Sequence, residues 1–207
     1  KQIVLSSTYQ HSGEVSERKL AMDPENKYLA RASRLRLPSE FVKDHVLSSS
    51  GLLVKEIGGP SVKPYQPDGI WELSTSGRGV LANYVQDHGE KLYRRGMYNF
   101  IKRTVPPPVM LMFDASNRDQ CEVRRISTNT PLQALIMMND PMVLEASRVL
   151  AERLMLQDMT PEERIKKAFR LIMCRKAGEE EMKILSAFYA DEKKFYDGDT
   201  EKAKQRL

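Results

Sequence analysis

Apolar residues recur at helical spacing in two parts of the chain and lose that period between them. In the first part, Phe41, His45 and Leu52 share one stripe, with Val42, Val46, Leu53 and Ile57 beside it. This spacing predicts an amphipathic helix over 39–57. Pro38 is tolerated in its first turn, where a missing N–H costs nothing, and Gly58-Gly59-Pro60 is the expected stop. The second part predicts four helices, over about 131–139, 141–157, 161–175 and 179–196. Thr130-Pro131-Leu132-Gln133 and Thr160-Pro161-Glu162-Glu163 are capping boxes with proline at the first helical position, and Asp140-Pro141 is a third start. Val143, Ala146, Leu150 and Leu154 make one apolar face, Ile165, Phe169 and Ile172 the next, and Met182, Leu185 and Tyr189 the last. Short connections predict antiparallel neighbours.

Between these parts, residues 58–129 form an irregular central region carrying Pro60, Pro64, Pro67 and Pro106-Pro107-Pro108, together with the only tryptophan, Trp71. Within it, 91–103 reads as either helix or strand. Gly96 weakens a helix, and the Tyr and Phe residues favour a strand that a small hairpin would pair with about 82–86. Residues 1–10 read as the end of a helix already under way, which implies an internal fragment whose targeting information lies upstream. Residues 11–37 are polar and turn-rich, with Asp23-Pro24 a turn start and Arg31, Arg34 and Arg36 alternating with apolar residues. Past Asp197-Gly198-Asp199 the tail is expected to fray. The fold class is mainly α: one domain fragment over 1–207, with a bundle-like scaffold at 38–57 and 130–197.

Composition narrows the function classes. Apolar residues make up 41% and charged residues 29%, a globular balance. The net charge of +5 is mild, and its charges are interspersed, so a nucleic-acid partner is not expected. No apolar stretch is long enough to span a membrane. Cys121 and Cys174 are too few for a disulfide framework and read as buried thiols in preference to a mutual bridge.

Candidate chemistry gathers in the central region. His88 lies in Asp87-His88-Gly89-Glu90, where a carboxylate would orient it as a general base; the simpler reading is a turn cap. Cys121 follows Asp114 and sits near Arg118, Arg124 and Arg125, cations that would activate a thiol, and a pairing with His88 is conceivable. The competing reading is a structural cysteine. His45, on a helix face, reads as a packed core or boundary residue. Arg94 and Arg95, with Lys102 and Arg103, alternate with Tyr93, Tyr98 and Phe100. Joined by Trp71, Arg124 and Arg125, they are candidates for binding a sugar or an anion, against the alternative of a half-buried element with a solvated basic face. No histidine pair has zinc spacing, and no nucleophile elbow or phosphate loop is present, so neither metal nor cofactor is expected in this chain.

The segments Gly51 to Glu72, Tyr84 to Gly89, Leu92 to Arg95, Lys102 to Pro108 and Phe113 to Ala115 resemble, in order, the signature of domain-of-unknown-function family 1553. Cys121 with Arg124 and Arg125, Thr128 to Leu135, and Asn139 to Pro141 extend the match. Family members abound in Planctomycetes and related bacteria. The resemblance implies an exported multidomain protein, in which an upstream uncharacterised domain, often preceded by a haem-bearing one, packs against this chain. A Cys-x-x-Cys-His haem motif is absent here, and the loop over 74–79 is where members are expected to differ. The resemblance supplies no catalytic residues. The expected function is therefore an accessory or interaction module binding a polymeric or anionic ligand, such as a polysaccharide. The alternative is an enzyme fragment using His88, Asp87, Glu90, Asp114 and Cys121, completed by the upstream domain.

Overall fold

The computed structural model describes the chain except for Arg34, Ser76, Gly77, Val80, Asn117, residues 198–200 and residues 202–207. Arg34 of the arginine triplet, Ser76 and Gly77 of the variable loop, and the tail after Asp197 apart from Glu201 thus lie outside the described residues. The chain forms two compact units, Lys1–Leu37 and Pro38–Leu207.

In the first unit, residues 1–10 are not a helix end. They form a chain of exposed turns, because polar Ser6, Ser7 and Thr8 interrupt the apolar run and Ser6 Oγ bonds the Ile3 carbonyl at 2.7 Å. A short helix, α1 (Glu17–Met22), is capped by Ser16. The turn predicted at Asp23-Pro24 is a hydrogen-bonded knot. The Asp23 carboxylate accepts from Lys27 N and Tyr28 N at 2.8 Å each, and Arg31 returns to the carbonyls of Asp23 and Pro24 at 2.8 and 2.7 Å.

The second unit is a helical scaffold. Its first helix, α2 (Ser39–Ser50), is shorter than predicted. Gly51, rather than Gly58, ends it: Gly51 takes a left-handed φ of 92° and its N–H donates to the Leu47 carbonyl. Leu52, Leu53 and Ile57 therefore leave the helical stripe. Two short helices follow in the central region, α3 (Ile70–Thr75) and α4 (Pro108–Met112). The C-terminal set matches its prediction to within two residues: α5 (Pro131–Asn139), α6 (Pro141–Met155), α7 (Pro161–Met173) and α8 (Glu179–Tyr196). Asp140 Oδ1 accepts from Met142 N and Val143 N to start α6, and Thr160 and Glu163 exchange bonds in both directions to start α7. Successive helices from α5 to α8 pack on one another, and α6 also packs on α2.

The predicted hairpin does not form. Residues 89–103 hold two 3-10 turns, Gly89–Tyr93 and Gly96–Tyr98, and bridge in parallel to Val54 and Val62 rather than antiparallel to 82–86. Val54 N donates to Tyr93 O at 3.0 Å. Val62 N donates to Tyr98 O, and Phe100 N to Val62 O, at 2.8 Å each. Among the described residues strand pairing is confined to such isolated bridges. The core joins Leu47 of α2 and Ala146, Leu150 and Leu154 of α6 to Val62, Trp71, Leu92, Met110 and Phe113 of the central region. The irregular stretch is thus half of the core, and it is held by side-chain and loop bonds instead of a ladder.

Candidate functional site

The Asp87–Glu90 segment is built as a loop anchor. Asp87 N donates to Lys63 O at 2.9 Å, Asp87 Oδ2 accepts from Lys63 N at 2.8 Å, and Oδ1 meets Lys91 Nζ at 3.4 Å. The Lys63 N–H holds the carboxyl below the usual carboxylate range. His88 occupies the cap position of the Gly89–Tyr93 turn, yet its ring makes no capping bond; it and Glu90 are exposed. Asp114, at φ 58°, accepts from Thr128 N at 2.7 Å and Thr128 Oγ1 at 2.8 Å, closing the loop that contains Cys121. The expectation of buried thiols is overturned. Cys121 and Cys174 are both free and exposed, Cys121 in the loop between Asp114 and Thr128 and Cys174 at the left-handed position that ends α7. His45 is a boundary residue as expected, half-buried with Nε2 2.6 Å from the Ile172 carbonyl.

Of the basic and aromatic candidates, Arg94, Lys102 and Trp71 are buried and Arg95 is half-buried, whereas Arg103 and Arg125 are exposed. Arg94 is buried, stacks 3.9 Å above the Tyr98 ring and donates to the carbonyls of Pro60 (2.8 Å), Glu56 (3.5 Å) and Gly58. It stitches the glycine-rich loop to the core, so the 93–103 element does not present it on a solvated basic face. Arg95 Nε donates to Asp44 at 2.7 Å, and Arg125 grips Glu40 with two nitrogens at 2.8 and 3.1 Å. Arg124 is exposed. Trp71 is buried between Tyr84 and Phe100, with Lys102 Nζ 4.5 Å from its ring centroid.

Sequence patterning missed Lys43. It lies on the inner face of α2, buried, and donates to Asn99 Oδ1 at 2.7 Å. It borders a cavity of about 60 Å³ whose walls are mostly apolar and include Val42, Val46, Ile136 and Val143. Burial pushes its ammonium down to about 8, against a partial pull upward from Asp44 and Asp140. Glu40 and Asp140 border the same cavity, and burial raises the Asp140 carboxyl. A lysine on a helix normally signals a solvated face, which is why the pattern concealed this one.

The α7–α8 hairpin carries two further concavities. On one side Ile165, Phe169, Ile172, Ile184, Phe188 and Tyr189 line an apolar groove of about 550 Å³, and both Ile184 and Phe188 are 63% exposed. On the other, Lys166, Lys167, Arg170 and Lys176 line a hollow of about 730 Å³ together with Glu163, Met159, Leu171 and Ala177. Arg175 locks the connection between the helices, meeting Glu181 at 2.8 and 2.6 Å and drawing the Glu181 carboxyl down to about 2.

Among the described residues no group of three or more His, Cys, Asp or Glu could hold a metal ion, and no helix is long and apolar enough to cross a membrane. Comparison with curated proteins and with solved structures finds no match. A family model described as protein of unknown function (DUF1553) matches residues 1–189. With nearly its whole length covered by that match, and in accord with the ordered motifs from Gly51 to Pro141, the chain belongs to the DUF1553 family.

Proposed function

We propose that this chain is an accessory, interaction module of a larger exported, planctomycete-type protein, packing beside an upstream domain and binding an anionic polymer through the α7–α8 hairpin. The observation that carries this reading is the excess of cations, Lys166, Lys167, Arg170 and Lys176 against Glu163, that line one hollow with Met159, Leu171 and Ala177. Lys166 is paired with Glu162 at 2.5 Å, yet the cations still outnumber the carboxylates there and attract a polyanion, and the apolar side chains beside them suit the carbon faces of sugar rings. The enzyme alternative has less support. Both Asp87 oxygens and both Asp114 oxygens serve backbone or side-chain partners, and none of the cavities described above is lined by His88, Asp87, Glu90, Asp114 or Cys121.

Retention of the chain on immobilised dextran sulfate and on uncharged dextran, across a salt gradient, tests this. Retention on the sulfated polymer alone, weakening with salt and lost in the K167E/R170E double variant, is the expected result. Passage through both columns at low salt, or undiminished retention of the double variant, would overturn it.

A further inference from the structure

We propose that the cavity beside α2 is a binding site for a small, uncharged aldehyde or ketone, with the Lys43 side-chain amine as the group that condenses with it. The site is separate from the α7–α8 hairpin and independent of any polymer binding there.

Four observations converge on this chemistry. First, the Lys43 amine borders a real space, since about 60 Å³ exceeds the ~10–15 Å³ that one water needs and accommodates several heavy atoms. Second, among the described residues Asn99 Oδ1 is the side-chain acceptor bonded to Lys43 Nζ, so it orients the nitrogen and occupies one of its three donor positions. Third, the walls are apolar, which suits a short carbon chain and favours the uncharged amine over the ammonium. Fourth, the charged groups around the amine select against anions. Glu40 and Asp44 come from α2 itself, and Asp140 comes from the start of α6. Asp140 borders the cavity directly, as does Glu40, whose carboxylate is already paired with Arg125, so a carboxylate or phosphate entering it meets like charge chiefly at Asp140, whereas a neutral carbonyl does not.

The step balances without any co-reactant. The Lys43 nitrogen lone pair attacks the carbonyl carbon, a C–N bond forms, and the C=O π pair moves to oxygen. That oxygen takes a proton from the nitrogen, giving a carbinolamine. Loss of the hydroxyl as water, with the second amine proton, leaves a C=N bond. When protonated, the imine nitrogen keeps an N–H directed at Asn99 Oδ1 and a positive charge near Asp140.

The intact chain treated with propionaldehyde and cyanoborohydride near pH 8, then digested and mapped by mass spectrometry, tests the site. Propylation of Lys43 is expected at least about tenfold ahead of exposed Lys55 and Lys183, because burial brings the Lys43 ammonium down to about 8 and leaves a large share of it as free amine at that pH. Narrowing the cavity with Val143→Phe is expected to suppress the Lys43 label and leave Lys55 unchanged. Lys43 labelled no faster than the exposed lysines, or labelled undiminished in V143F, would overturn the proposal. The comparison within the unaltered chain stands even if V143F fails to fold.

Discussion

Gly96 brings the central region against the backbone of α2, and replacing it with alanine tests how the two are joined. An added Cβ would lie 2.6 Å from the Glu40 carbonyl oxygen and 2.8 Å from Glu40 Cα, where ordinary contact begins near 3.4 Å. Both obstacles are α2 backbone, which cannot swing aside as a side chain can. The 95–99 segment must retreat by roughly 0.6–0.8 Å, a shift that overpacked sites accommodate at about 1–3 kcal/mol. Retreat also stretches the two bonds to Asp44, from Gly96 N at 2.6 Å and from Arg95 Nε at 2.7 Å. Weakening hydrogen bonds to a charged acceptor adds about 1 kcal/mol, for a loss of roughly 2–4 kcal/mol. Trp71, 1% exposed, reports on this unit by fluorescence. With a urea slope of about 2 kcal/mol/M, the G96A midpoint falls by roughly 1–2 M. Gly89→Ala is the control, since its Cβ meets nothing within 4 Å and carries only the strain of a φ of 64°, about 1–2 kcal/mol. A G96A midpoint within about 0.25 M of the parent, or a larger effect at Gly89, would refute the close approach as the basis of the packing.

Further outcomes follow from the same contacts. Burial lowers the Lys43 ammonium from 10.5 to about 8, so between those values the unfolded chain binds more protons than the folded one and stability rises with pH. The full shift corresponds to roughly 3 kcal/mol. Urea midpoints taken from about pH 8 to 9 should climb, and Lys43→Met should flatten that climb; the raised Tyr65, Tyr84 and Tyr93 hydroxyls oppose it as pH approaches their unfolded value of 10.0. Both Cys121 and Cys174 should react fully with a thiol reagent in native buffer, and a thiol that reacts only after urea is added would contradict their exposure. Cys174 ends α7 at φ 54°, where glycine is unstrained, so Cys174→Gly should raise thermal stability by about 0.5–1 kcal/mol in a melting experiment.

Local sequence determined the C-terminal helices. Thr130, Asp140 and Thr160, each followed by proline, specify helix starts through bonds made within four residues, and these appear as predicted. The same locality misled at α2, where apolar spacing continued past Gly51 although the chain had already turned left-handed there; Arg153 of α6, which bonds the Ser50 carbonyl at 2.9 Å, packs against that turn. The central region was least legible, because its order comes from partners far apart along the chain. Arg94 reaches the 56–60 loop, Arg95 reaches Asp44, and Tyr65 and Tyr93 converge on Glu145. No periodicity records such bonds. The candidate sites divide in the same way. Asp87, Asp114 and Arg94 drew attention as chemistry-bearing residues, and tertiary structure commits them to carbonyls, amides and hydroxyls. Lys43 drew none, since only the packing of α2 against 99, 110 and 140 encloses its amine beside a cavity. A charged group becomes chemically distinctive when water is removed from around it, and that removal is a property of the folded packing, not of the residue or its neighbours in sequence.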